Sequence, residues 1–376
     1  MKTFQLPANS NYGDRPIPVT FPDHWDVHIS RIHGYDTPAL TEAQIREKLH
    51  AAIGTEPISE SAAGKKSAVI IIDDITRPTP CEPIARAVIA ELHAAGVPDE
   101  NIWFIIALGT HGVMYRTEFV RKLGEELVEN YEVHNHNLFF NHVFVGNTSN
   151  NVPVEINADV MSADYKIAIG TTMAHSYYGF SGGAKCILPG VSSLRTIMRN
   201  HSFTTTTEFN MGNPHTLMRS DAEQAARMMG LDFKVDAILN GHAEICNLFA
   251  GDFEAEERQA AAYAAAAAHG AGCGLARVFD GLAVGENAPR ETAQDLSFYE
   301  QGGFGCTIHG ESVLLGTASF MRKQDVRLPG NINLKTGVFL AVDRQLSAVF
   351  AVKYHPSENV DFALRMMRRS HITPIL

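Results

Sequence analysis

Apolar residues between positions 65 and 170 fall in short unbroken runs instead of strict alternation, and stretches with helical spacing separate the runs. Residues 68–72 (Ala-Val-Ile-Ile-Ile), 102–107 (Ile-Trp-Phe-Ile-Ile-Ala) and 165–169 (Tyr-Lys-Ile-Ala-Ile) read as strands. Residues 82–95 read as an amphipathic helix before Gly96, and a charged helix runs to about residue 130. A strand that is apolar on both faces is buried on both, as in a parallel sheet covered by crossover helices. The pattern predicts an α/β domain. Further along, an alanine-rich helix over 254–268 runs into Gly270, Gly272 and Gly274, a glycine-rich stop. A domain boundary is expected there, with an N-terminal domain over 1–272 and a smaller α/β domain over 273–376 that opens with a strand at 279–284.

Composition narrows the function. The chain has 376 residues, 45% hydrophobic and 19% charged, as expected of a folded, water-soluble protein. A formal net charge of -11 argues against a nucleic-acid partner, and an anionic ligand would need a local positive patch. Cys81, Cys186, Cys246, Cys273 and Cys306 are scattered without C-x-x-C spacing, so neither a disulfide framework nor a thiolate zinc site is expected. This cysteine usage fits a reducing cytoplasm. No apolar leader and no run of about 18 apolar residues is visible, so no membrane partner is expected.

In open parallel sheets ligands collect at the carboxyl ends of strands, where helix N-termini aim partial positive charge. The first predicted strand runs into Asp73, Asp74, Ile75, Thr76 and Arg77, closed by prolines at 78 and 80. Asp74 can fix a histidine tautomer, and Arg77 can grip a carboxylate in a two-pronged manner. The plainer reading is a helix cap and a surface ion pair. The second strand leads to Gly109, Thr110 and His111, and the third to His175; each histidine reads as a general base or as a solvated loop residue. Ser181, Gly182 and Gly183 offer amides that could cradle a phosphate just before Lys185, or form a simple glycine turn before a strand. Neither a Walker A motif nor a G-x-G-x-x-G after an N-terminal strand is present, so ordinary ATP and NAD sites are not supported. Arg199, Asn200 and His201 close a helix expected after Pro189 and Gly190. With His175 and Lys185 they suit a metal that favours imidazole, but most of its ligands must then come from something other than this protein, such as an organic cofactor.

Taken in order, D-D-I-T-R-P-T-P, G-T-H, H-S-Y-Y-G-F-S-G-G-A-K-C-I-L-P-G-V-S-S and R-N-H resemble the nickel-pincer nucleotide-dependent lactate racemase family. The resemblance extends to about residue 280 and includes an early Asn11-Tyr12-Gly13 segment and the segment from Leu248 to Asp252. It implies a site in the cleft between the two domains, with a nickel-bearing pyridinium mononucleotide tethered at Lys185. It implies His201 as the nickel's protein ligand and His111 and His175 as alternating acid and base in reversible hydride transfer on an α-hydroxy acid. Asp74 would orient a histidine, and Arg77 would anchor the substrate carboxylate. Thr76, Ser181, Gly182 and Gly183 would contact the cofactor, its phosphate lying near the glycine turn. Cofactor-synthesis proteins would be the loading partners. A histidine pKa near ~6.5 would let either ring serve at neutral pH.

The chain departs from the family pattern in its second part. Where the family carries Y-Q-x-x-K, the matching stretch is Tyr299, Glu300, Gln301, Gly302 and Gly303. Gly112 replaces the arginine that often follows G-T-H. With Tyr299 and Glu300 as substrate contacts and a cation missing, the expected substrate is a sugar acid or bulkier hydroxy acid instead of lactate. The alternative is a non-catalytic binder or carrier of the nucleotide; a lyase using the same histidines is a third reading.

Overall fold

A computed structural model describes residues 2–6, 17–23, 34–205, 211–268, 294–299, 303–308, 310–329 and 337–351. The chain divides into two compact units, Met1–Glu286 and Asn287–Leu376. The boundary expected at 272, the strand at 279–284, the Asn11-Tyr12-Gly13 segment and Glu300 lie outside the described residues.

The first unit opens with an antiparallel hairpin of β1 (Lys2–Leu6) and β2 (Ile17–Phe21). Helix α1 (Glu42–His50) starts at a capping box between Thr41 and Gln44, and α2 (Ile58–Ser61) is a single turn. The core elements follow in alternation: β3 (Ala68–Asp73), α3 (Cys81–Ala94), β4 (Ile102–Ala107), α4 (Arg116–Asn130) and β5 (Glu132–Asn135). A side hairpin of β6 (His142–Asn147) and β7 (Pro153–Asn157) and the short α5 (Ala158–Met161) precede β8 (Tyr165–Thr171). A small hairpin, β9 (Ala174–His175) and β10 (Gly179–Phe180), leads to a 3₁₀ turn at Gly183–Cys186 and to α6 (Leu194–His201). Helix α7 (Leu217–Met229), β11 (Phe233–Leu239), β12 (Ile245–Gly251) and α8 (Ala255–Ala268) complete the unit.

The central sheet has the order β12-β11-β8-β3-β4-β5 and is parallel except for β12, which pairs antiparallel with β11. Every residue of β3 is buried, as its unbroken apolar run requires. Ile70, Ile72, Phe104 and Ile106 pack with Leu49, Ile84, Val88 and Leu92 on one face; Val69, Ile71 and Ile105 pack with Ile187, Leu188, Ile197 and Ala222 on the other. Register places Asp73 beside Ala107, and Ile72 beside Ile169 near the end of β8, so the three loops carrying the candidate residues leave the same edge of the sheet. Among the described residues no helix is long and apolar enough to cross a membrane.

The second unit is a five-stranded antiparallel sheet in sequence order: β13 (Gln294–Tyr299), β14 (Gly303–Ile308), β15 (Glu311–Gly316), β16 (Gly337–Val342) and β17 (Gln345–Ala351). Helix α9 (Ala318–Lys323) packs Phe320 and Met321 against Leu314, Phe339 and Ala341.

Candidate active site

Asp73 and Asp74 are neighbours with different surroundings, because successive side chains at a strand end point to opposite sides. Asp73 accepts a hydrogen bond from Thr79 Oγ1 at 2.5 Å and pairs with the Lys122 ammonium. Lys122 also donates to the carbonyls of Arg77 (3.1 Å) and Thr79 (3.3 Å), and its side chain is fully buried. This helix-borne cation therefore shapes the whole Asp74–Pro80 turn. Sequence reasoning missed it; the available signal was a lysine on the same face of its helix as Phe119 and beside the buried Leu123.

Asp74 faces the other way. Its Oδ2 lies 2.5 Å from His111 Nδ1, and its Oδ1 accepts the Thr76 amide at 2.7 Å. Burial pushes the Asp74 carboxyl up, but the bonds from His111 and Thr76 prevail and hold it below the usual carboxylate range. With Nδ1–H given to Asp74, the His111 lone pair belongs to Nε2, as a general base requires. The His111 turn is fixed by the Gly109 amide, which donates to Gly190 O at 2.9 Å. A Cβ on Gly190 would come within 1.9 Å of the Cys186 carbonyl, so only glycine allows this approach. Thr76 joins this pair: its Oγ1 lies 3.4 Å from His111 Nδ1 and accepts from Arg77 Nη1 at 3.3 Å.

The second cluster is built around the buried ring of Tyr178. Lys185 Nζ lies 5.3 Å from the ring centroid, and the rings of His175 and His201 lie 5.7 and 6.1 Å from it. The Tyr178 hydroxyl donates to Asn200 Oδ1 at 2.5 Å, tying the β9–β10 hairpin to the last turn of α6. His175 Nδ1 accepts from the amides of Tyr177 (3.2 Å) and Tyr178 (3.3 Å), which places its proton on Nε2. His201 has the opposite tautomer, because its Nδ1 donates to the Ile197 carbonyl at 3.0 Å and the lone pair lies on Nε2. Such a backbone partner is how metal-ligating histidines are oriented.

Charge joins the two clusters. Burial first, and then the cations Lys185 and Arg77, push His175 down to about 3. Burial and Arg77 push the Lys185 amine down to about 8, with Asp74 pulling the other way. Burial also lowers His201. The expectation that either histidine sits near ~6.5 is thus corrected for His175: desolvation and a crowd of cations keep it neutral until an anion enters.

The glycine turn is placed differently from the open phosphate cradle expected. Ser181 Oγ donates to Thr171 O at 2.7 Å and accepts the Met173 amide at 3.0 Å, while the Gly183 amide donates to Asp236 Oδ2 at 2.5 Å. Gly182 has φ +79, and a Cβ there would meet Thr172 Oγ1 at 2.5 Å. The turn therefore packs down on buried charge: Asp236, Glu256 and Glu257, with ligand oxygens within 4.8 Å of one another, face Lys234 and Arg219. Lys234 Nζ at 2.6 Å from Asp236 Oδ1 and Arg219 Nη1 at 3.0 Å from Glu257 Oε1 already supply two positive charges. Burial, with Asp236 next to it, pushes Glu256 well up, so a proton supplies the third. A cluster already neutralised in this way is a poor host for a further cation, whereas the His201 imidazole, oriented by Ile197 O, could ligate a metal. Tyr299 ends β13 in the second unit.

Residues 12–212 match the lactate racemase N-terminal domain family, a stretch that carries all four motifs and both clusters. The chain belongs to that family. It is 33% identical over 235 residues to a lactate racemase of Lactiplantibacillus plantarum, covering 61% of this chain and 55% of the relative. It is 31% identical over 255 residues to the lactate racemase of Thermoanaerobacterium thermosaccharolyticum, covering 65% and 58%. The chain thus spans little more than half the length of these lactate racemases. The structure of the lactate racemase apoprotein from T. thermosaccharolyticum superposes with a TM-score of 0.57 at 28% identity, covering 70% of this chain and 62% of that one. A Thermotoga maritima protein shares the fold at TM-score 0.53 and 22% identity, covering 61% and 60%.

Proposed function

We propose that this chain is a racemase or epimerase of an α-hydroxy acid that works with a nickel-pincer nucleotide. The observation that carries the reading is the gathering of Lys185, His175 and His201 around one buried ring, within the electrostatic reach of Arg77.

The residues fit such a group. An amine lowered to about 8 is available for a covalent carbonyl or thiocarbonyl link near neutral pH. His201, with Nδ1–H on Ile197 O, has its Nε2 lone pair for a metal. Arg77 supplies positive charge for an anionic substrate beside the cluster. When bound, the nucleotide supplies a reversible acceptor for the α-hydrogen as hydride. The chain's part is the proton. His111, oriented by Asp74, takes the hydroxyl proton of one enantiomer on Nε2, while Arg77 grips the carboxylate with two parallel bonds. His175 serves the opposite face once an anion offsets its cationic surroundings: to take a second proton its Nδ1 gives up the Tyr177 and Tyr178 amides, and the imidazolium donates from Nε2; the planar 2-oxo acid between them has no memory of hand.

The substrate is a hydroxy acid other than lactate. Gly303 stands where the family pattern has a lysine, and a Cβ there would fall 2.2 Å from the Phe320 ring, so that position cannot host a cation in this packing. This loss also motivates the carrier alternative. The test has two arms. Protein made with the cofactor-synthesis machinery should show a mass adduct that Lys185→Ala abolishes, and a chain without any adduct would end the reading. The loaded protein should then exchange α-deuterium in a panel of hydroxy acids. Adduct without exchange leaves a carrier; exchange with one acid removes it.

A further inference from the structure

Arg219 is a charged side chain, only 2% exposed, in the first turn of α7, the end of a helix where a positive charge is least favoured. Burying a guanidinium there is costly unless every face of its fork is used. The cost is offset: Nε donates to Tyr178 O at 3.0 Å, Nη2 donates to Phe180 O at 2.5 Å, and Nη1 forms an ion pair with Glu257 Oε1 at 3.0 Å. The two carbonyls belong to the β9–β10 hairpin, which has only two ladder pairs of its own, His175 with Gly179 and Ala174 with Phe180. Two such pairs do not hold a hairpin in water.

The same hairpin fixes the His175 tautomer, through the Tyr177 and Tyr178 amides on Nδ1, and it carries the ring between Lys185, His175 and His201. Glu257 in turn accepts Thr172 Oγ1 at 3.1 Å and shares the buried acidic cluster with Asp236, which holds the Gly183 amide. One guanidinium thus links the turn and the second strand of the hairpin that bears His175 to α7 and α8. We propose that Arg219 is a positioning residue: its planar fork locks the β9–β10 hairpin so that His175 presents a single Nε2–H tautomer beside Lys185. Lysine cannot replace it, because one ammonium lacks the fixed fork that bonds two carbonyls while a third nitrogen meets a carboxylate.

The proposal takes from the functional reading only that His175 handles a proton, and its test needs no cofactor. In ¹⁵N-histidine-labelled chain, His175 Nδ1 should show the shift of an unprotonated acceptor at neutral pH. Arg219→Met should move it to a tautomer average and speed exchange of the Tyr177 and Tyr178 amides by about tenfold or more. Arg219→Lys should restore neither. A folded Arg219→Met protein that keeps the single tautomer and slow amides would overturn the proposal. So would rescue by lysine, which would mean that charge alone matters. Should both variants fail to fold, the wild type decides: slow exchange of the Arg219 Nε–H and of the two amides is expected, and fast exchange of them overturns it. If positioning holds while the loaded chain exchanges no α-deuterium, the functional reading fails and Arg219 remains the hairpin's anchor.

Discussion

The Lys185 amine and the Asp74–His111 pair owe their chemistry to neighbours that a residue list does not contain. Burial and Arg77 keep Lys185 near 8, so its acylation by an amine-directed reagent should rise with pH around a midpoint of about 8. Arg77→Met should move that midpoint upward, as peptide mapping of the modified chain would show. Asp74 sets the His111 tautomer; Asp74→Asn should leave the Lys185 adduct intact while cutting α-deuterium exchange by about 10²- to 10⁴-fold. The paired groups were legible in the sequence because aspartate, histidine and lysine at strand ends are chemically expressive. Thr76 and Ser181 read from the sequence as cofactor contacts; in the structure Thr76 Oγ1 accepts from Arg77 Nη1 beside His111, and Ser181 Oγ donates to Thr171 O. Which partner a short hydroxyl chooses depends on contacts over a few ångströms, and spacing does not encode them.

Among the elements, β3, β4 and β8 follow from their unbroken apolar runs, and the structure ends them within two residues of expectation or better. The edge strand β5, with alternating exposed and half-buried residues, has no such run. The antiparallel β12 is not distinguished by pattern from a parallel strand, since direction is set by the connection and not by hydrophobicity. The glycine turn is a 3₁₀ turn at Gly183–Cys186, where Gly182 and Gly183 adopt positive φ and the Gly183 amide is drawn to Asp236, and further turns stand over 187–190 where the plainer reading allowed a strand. Loops are held by helix-borne cations: Lys122 of α4 closes the Asp74–Pro80 turn. Lys122→Met should cost about 3–5 kcal/mol, because it strands the Asp73 charge in the interior. Urea unfolding would measure this, and Lys122→Met with Asp73→Asn should recover part of the loss.

For the molecule as a whole, buried groups pull stability in opposite directions with pH. His136 is pushed down to about 4 and His175 to about 3, so the unfolded chain takes their protons first and stability rises with pH up to about 6.5. Glu256 is pushed up by burial and by Asp236; the folded chain keeps its proton where the unfolded one has lost it, so this group subtracts stability as pH rises above ~4.3. Glu256→Gln removes that opposing slope. Urea titrations between pH 5 and 8 should show the variant gaining on the wild type by up to about 1.4 kcal/mol per pH unit. The ring of Tyr178, with an amine and two imidazoles arrayed about it and its hydroxyl fastened to Asn200, has a consequence for anyone who dissects this protein by substitution. Positions 175, 185 and 201 share one wall, so energies measured one at a time will not sum, and a double cycle across that wall will report the wall itself.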